Sequence, residues 1–220
     1  VDSEAIKAKL DTISSLIADL YVLTAVTPPS TSSPADPPIT APPITAPPIA
    51  ASPVNGSTIV KIEDSDYIEF HGLNQYLAKE YLDQLTILMQ QNIIQFPDRQ
   101  FKKLYILDAG TSDGSDPPNH PIGTHCKGWA VDAKYFSLDG SFKIFGSDGT
   151  ITENFDIKRA LNFILAFIKV FPLCYIFMDD RIYLALWNLA AWSDKQILQD
   201  NVFKGLGHDT HIHLGYHGPR

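Results

Sequence analysis

Gly128-Trp-Ala-Val-Asp-Ala-Lys-Tyr-Phe136 is the stretch on which the fold turns. Trp129, Val131, Ala133 and Tyr135 alternate with Ala130, Asp132 and Lys134, which is the two-residue period of a strand with one face toward a core. A second such stretch lies near the end of the chain, Thr210-His-Ile-His-Leu-Gly-Tyr216. There His211 and His213 share one face and Ile212 and Leu214 the other. Both strands therefore set polar, chemistry-bearing side chains opposite an apolar face.

Working outward, Leu104–Asp108 reads as a short buried strand and 109–120 as a loop rich in Gly, Ser, Asp and Pro. Leu173–Met178 reads as a strand, and Phe142–Phe145, followed by Ser-Asp-Gly-Thr, as a strand and turn. Helices are expected over Asn74–Ile94, Phe155–Val170 and Arg181–Trp192 from their apolar spacing. Strands and helices mix without a regular βαβ alternation. The expected class is α+β, a small mostly antiparallel sheet with flanking helices.

The first quarter of the chain has a different character. Ile6, Leu10, Ile13, Ile17 and Leu20 recur at spacings of 4, 3, 4 and 3, a heptad seam on a helix over residues 1–27, with Ser3 as N-cap. A lone helix of this length has no core of its own. It docks on another protein, pairs with its own copies, or folds back on the rest of the chain. Residues 28–56 hold ten of the sixteen prolines, with the repeat Pro-Pro-Ile-Thr-Ala, Pro-Pro-Ile-Thr-Ala, Pro-Pro-Ile-Ala-Ala. Proline fixes φ and removes donors, so an extended polyproline II spacer is expected, reaching roughly 80 Å. Residues 57–220 then form the globular domain.

A formal charge of −8 and the absence of a basic stripe argue against nucleic acid as a partner. No stretch approaches the ~20 apolar residues of a membrane span. The first residues, carrying Asp2, Glu4, Lys7, Lys9 and Asp11, do not read as a signal peptide. The two cysteines, Cys126 and Cys174, leave three readings open: buried free thiols, a disulfide, or metal ligation by Cys126.

Six of the seven histidines fall in two short segments: His120 and His125, then His208, His211, His213 and His217. Two imidazoles and a carboxylate, His125, Asp132 and His213, supply the three ligands of a hydrolytic Zn²⁺ site with a fourth position for water. His211, two residues from His213, stands where a general base would. Gly128 allows a close backbone turn between His125 and Asp132. His120 and His217 read as surface residues.

The pattern His125-x6-Asp132 with a distal His211-x-His213 resembles the lysostaphin, D-Ala-D-Ala and hedgehog-type (LAS) metallopeptidases. The string Gly207-His-Asp-Thr-His-Ile-His213 is most similar to the penicillin-insensitive murein endopeptidases. The loop Asp108-Ala-Gly-Thr-Ser-Asp-Gly114 and Tyr175-Ile-Phe-Met178 also fit. The resemblance spans roughly residues 57–217. It implies a zinc endopeptidase acting on peptidoglycan stem peptides, with His125, Asp132 and His213 as ligands. It also implies His211 as base, His208 orienting water or stabilising the oxyanion, and Asp209 behind them fixing a histidine tautomer. Two departures concern substrate. Ile122 stands where the family has a histidine, with His120 nearby, and Cys126-Lys127 replaces a glutamine, leaving Lys127 to meet a substrate carboxylate. The expected activity is cleavage of amide bonds to D-amino acids in murein cross-links. The alternatives are a D-Ala-D-Ala carboxypeptidase or a non-catalytic, zinc-stabilised domain. The N-terminal helix and spacer suit an enzyme carried by a phage tail or similar particle to the bacterial cell wall.

Overall fold

The computed structural model describes residues 57–118, 120, 123–205 and 207–217, all within one unit spanning 41–220. The expected heptad helix and the whole Pro-rich spacer lie outside the described residues. In chain order the elements are β1 (Ile59–Lys61), β2 (Ile68–Phe70), β3 (Tyr76–Ala78), α1 (Lys79–Gln95) and β4 (Leu104–Asp108). A 3-10 turn (Cys126–Gly128), β5 (Ala130–Ala133), α2 (Ile157–Val170) and β6 (Cys174–Met178) follow. The last are α3 (Asp180–Leu189), α4 (Trp192–Asn201), β7 (Val202–Lys204) and β8 (Ile212–Tyr216).

The class is α+β. A six-stranded sheet runs β2-β4-β5-β8-β6-β7, and β1 pairs with β3 in a separate antiparallel ribbon. The four central strands β4, β5, β8 and β6 are antiparallel, and each edge is a three-residue strand added in parallel. The two stretches quoted first are neighbours at the middle: Asp132 pairs with His213 and Val131 with Leu214.

One face of this sheet is closed by helices. α2 is started by Asp156, whose carboxylate accepts from the backbone N–H of Arg159 at 3.4 Å. It buries Ala160, Phe163, Ile164 and Phe167 at helical spacing. α1 contributes Tyr81, Leu85, Leu88 and Met89. Tyr81 is fully buried, and its hydroxyl donates to the carbonyl of Leu214 at 2.8 Å, so its one polar atom is satisfied inside the core. Buried Arg159 is likewise paid in hydrogen bonds: it donates to Asn92 Oδ1 at 2.6 Å, to the carbonyl of Lys102 at 3.1 Å and to that of Phe101.

Several elements differ from the sequence expectation. The helix expected from Asn74 begins only at Lys79, because Tyr76–Ala78 pairs with Ile59–Lys61, a partner that periodicity does not reveal. Phe142–Phe145 forms no strand; Phe145 makes a single bridge to Ile151. The helix expected over Arg181–Trp192 stops at Leu189, where Ala190 and Ala191 are extended, and a second helix starts at Trp192. The short strands β1, β2 and β7 lack the alternating runs that mark longer ones.

Candidate metal centre

The site lies on the sheet face away from α1 and α2, and strand register builds it. Asp108 is opposite Asp132, Asp132 opposite His213, and His213 opposite Phe177. Directly paired residues project to the same face, so these four side chains form a row across β4, β5, β8 and β6. An irregularity between Ile106 and Asp108 delivers Asp108 into that row at the end of its strand.

His125 arrives from the loop before β5. Asp116 holds that loop, accepting from the backbone N–H of Gly123 and of His125, each at 2.6 Å. The turn after His125 carries Lys127 and Gly128 at φ of 61° and 68°. A Cβ at Gly128 would stand 2.5 Å from the backbone nitrogen of Ala78, so only glycine lets the loop pass β3 here. Lys127 itself is exposed.

Four imidazoles surround the Asp132 carboxylate. His213 Nδ1 lies 2.8 Å from Oδ1, and His211 Nε2 lies 3.9 Å from the same oxygen. On the other oxygen, Oδ2, His120 Nε2 lies at 3.3 Å and His125 Nε2 at 3.5 Å. Ligands held about 2.0–2.1 Å from one tetrahedral ion stand ~3.3 Å apart, so these separations fit a coordination shell. His120, His125 and Asp132 have ligand atoms all within 4.8 Å of one another. A His/His/Asp group here could hold a metal ion.

Burial is severe: His125 is 0 %, His213 4 % and Asp132 7 % exposed. Even so, every buried side-chain nitrogen or oxygen without a hydrogen bond among the described residues belongs to a histidine of this cluster. They are Nδ1 of His120, both ring nitrogens of His125, Nδ1 of His208 and Nε2 of His213. Leaving one such atom unmet costs about 1–3 kcal/mol. A fold that satisfies Tyr81 and Arg159 elsewhere leaves its unmet donors and acceptors in one place. The protonation states also suit a cation. Burial alone would raise the Asp132 carboxyl, but the close imidazoles of His125 and His213 outweigh it and hold the group well below the usual carboxylate range. Burial pushes His211 and His213 down, toward the neutral imidazole that a divalent ion binds.

The His208 and His211 rings meet at a 45° tilt with centroids 4.9 Å apart, and His208 stacks on Phe177 at 5.7 Å. Tyr135 pins their loop: its hydroxyl donates to the carbonyl of His208 at 2.7 Å and accepts from the N–H of Asp179 at 3.0 Å. Tyr175 stacks on His213 at 5.6 Å and donates to the carbonyl of Thr124 at 3.1 Å. Asp209 is exposed, and its charge acts on Tyr135 and Arg181. Cys174 is a buried free thiol. His217 is exposed, as expected, whereas His120, 21 % exposed, turns inward to the carboxylates. Sequence reading also passed over Asp108 as a site residue; its position at the end of β4 was the available signal, but its pairing with Asp132 was not.

No model of a known protein family matches the chain, and no curated protein matches it.

Proposed function

We propose that this chain is a zinc-dependent peptidoglycan hydrolase cleaving amide bonds to D-amino acids in murein cross-links. The observation that carries the reading is the cluster of unmet, deeply buried imidazole nitrogens around one ionised carboxylate. His125, Asp132 and His213 would hold the ion, leaving one position for water. Zinc held there would supply a water acidified toward a pKa of ~7 and a polarised scissile carbonyl.

The protein's own groups then divide the remaining work. His211, kept neutral by burial, takes a proton from the attacking water and returns it to the leaving amine. His208, packed against His211, faces the charge that develops on the carbonyl oxygen. Lys127, exposed beside the ligand His125, meets a carboxylate of the stem peptide. The heptad segment would bind another protein or its own copies, and the spacer would hold the enzyme away from a phage tail or similar particle.

A second reading rests on His120. If it joined His125, Asp132 and His213 on one ion, four protein ligands would fill the shell, as in structural zinc sites, and no water could bind. Metal analysis with digestion of purified muropeptides decides between them. Zinc with dimers converted to monomers supports the endopeptidase. Release of D-Ala alone indicates a carboxypeptidase, zinc with no product indicates the structural site, and absence of bound metal overturns both readings.

A further inference from the structure

We propose that Asp108 and His120 hold a second divalent cation beside the hydrolytic one, with Asp132 shared between them. The inference rests on the reading that His125, Asp132 and His213 bind the first ion. An open four-coordinate site uses three protein ligands. Here a fourth imidazole and a second carboxylate gather at the same place, which is more than one open site can use.

Asp132 is divided between two sides. Oδ1 faces His213 at 2.8 Å, whereas Oδ2 lies 3.3 Å from His120 Nε2 and 3.5 Å from His125 Nε2. That same Nε2 is 3.7 Å from Asp108 Oδ2. Both distances are close to the ~3.3 Å separation of ligands on one ion. Asp108 and Asp132 are register partners across β4 and β5, and like charges directly opposite each other are destabilising. His120 Nε2 carries at most one N–H and so answers one carboxylate only. A divalent cation between Asp108 Oδ2, His120 Nε2 and Asp132 Oδ2 neutralises both.

Two further observations point the same way. His125 is fully buried, has no hydrogen bond on either ring nitrogen, and packs edge-on against His120 with centroids 4.6 Å apart. The side chains of Asp108 and His120 are 20 % and 21 % exposed, so an ion reaches them from solvent. A carboxylate shared between two ions, about 3.5–4 Å apart, is the arrangement of two-metal hydrolases, in which both ions clamp the reacting oxygens. Nitrogen and oxygen donors of this kind suit Zn²⁺, Co²⁺ or Mn²⁺.

The test is the number of ions bound. Full-length protein stripped with a chelator is titrated with Zn²⁺ by calorimetry and checked by elemental analysis after dialysis. We expect about two ions per chain in the wild type. Asp108→Asn should leave the first unchanged and weaken the second about 10–100-fold. His120→Ala should remove the second as well, with circular dichroism confirming that each variant is folded. Saturation of the wild type at one ion overturns the second site while leaving the hydrolase reading standing. Two ions retained by Asp108→Asn at unchanged affinity overturns it too, and binding of none overturns both.

Discussion

The two faces of the central sheet are made by alternate residues of the same strands, and they obey opposite rules. Val131, Leu214 and Ile176 face the helices, where the core is apolar and Tyr81 finds a carbonyl for its one hydroxyl. One residue along each strand, Asp132, His213 and Phe177 face the other way, among imidazoles with unmet nitrogens. Asp132 and His213 are buried nearly as deeply as Val131 and Leu214, so at these positions burial does not distinguish the faces. Satisfaction does: one face is complete as it stands, and the other is complete only with something bound. The first face supplies the stability that lets the second remain unfinished.

The comparison breaks most sharply at Asp132. Asp132→Ala removes the carboxylate that all four imidazoles share, so we expect loss of tightly bound zinc and of all muropeptide cleavage above background, read by elemental analysis and product chromatography. His211→Ala should be next: zinc is retained and turnover falls about 10²–10⁴-fold, the ordinary contribution of a general base. The helix-covered face should respond in the opposite sense. Phe167→Ala empties space against Tyr81 and Phe171 and should cost about 3–5 kcal/mol in denaturant unfolding, with zinc stoichiometry unchanged.

A smaller effect separates the faces by pH. His211 and His213 are pushed below the ordinary imidazole value in the fold, so between their folded and unfolded pKa values the unfolded chain binds more protons. Stability of the metal-free protein should therefore be highest above about pH 6.5 and fall as the solution is acidified below it. Calorimetry from pH 7.5 to 5 checks this, and a melting temperature flat across that range would refute it. The smallest expectation concerns the β6 thiol. Burial pushes Cys174 up to about 12, so in a Cys126→Ser background the native protein should react with a thiol reagent far more slowly than the denatured chain.

Much of this was legible in the sequence because the period of two is strict where it matters. Trp129–Tyr135 and His211–Leu214 each announce which residues share a face, and β4 and β6 stand within a residue of their expected limits. Alternation along one strand carries no information about which residue of another strand lies opposite. Hence the pairing of Asp108 with Asp132 and the inward turn of His120 appear only once the strands are registered. The three-residue strands escaped for a related reason: three residues show too little alternation, and their pairing partners fix them. Tyr76–Ala78 illustrates this, reading as the first turn of a helix until Ile59–Lys61 is placed beside it.

Both borders of the six-stranded sheet are stubs. β2 and β7 each offer three residues, about 10 Å of backbone, to anything that would lengthen the sheet. An incoming peptide seeking main-chain partners along a margin would run out of them after one or two bonds, which discourages both fibre-like stacking of copies and recognition by strand addition. On the proposed function, a crosslinked wall peptide would be gripped by side chains as it crosses the middle of the platform. Selectivity for the handedness of its residues would then reside in the Tyr175, Phe177 and histidine rings and not in a backbone ladder.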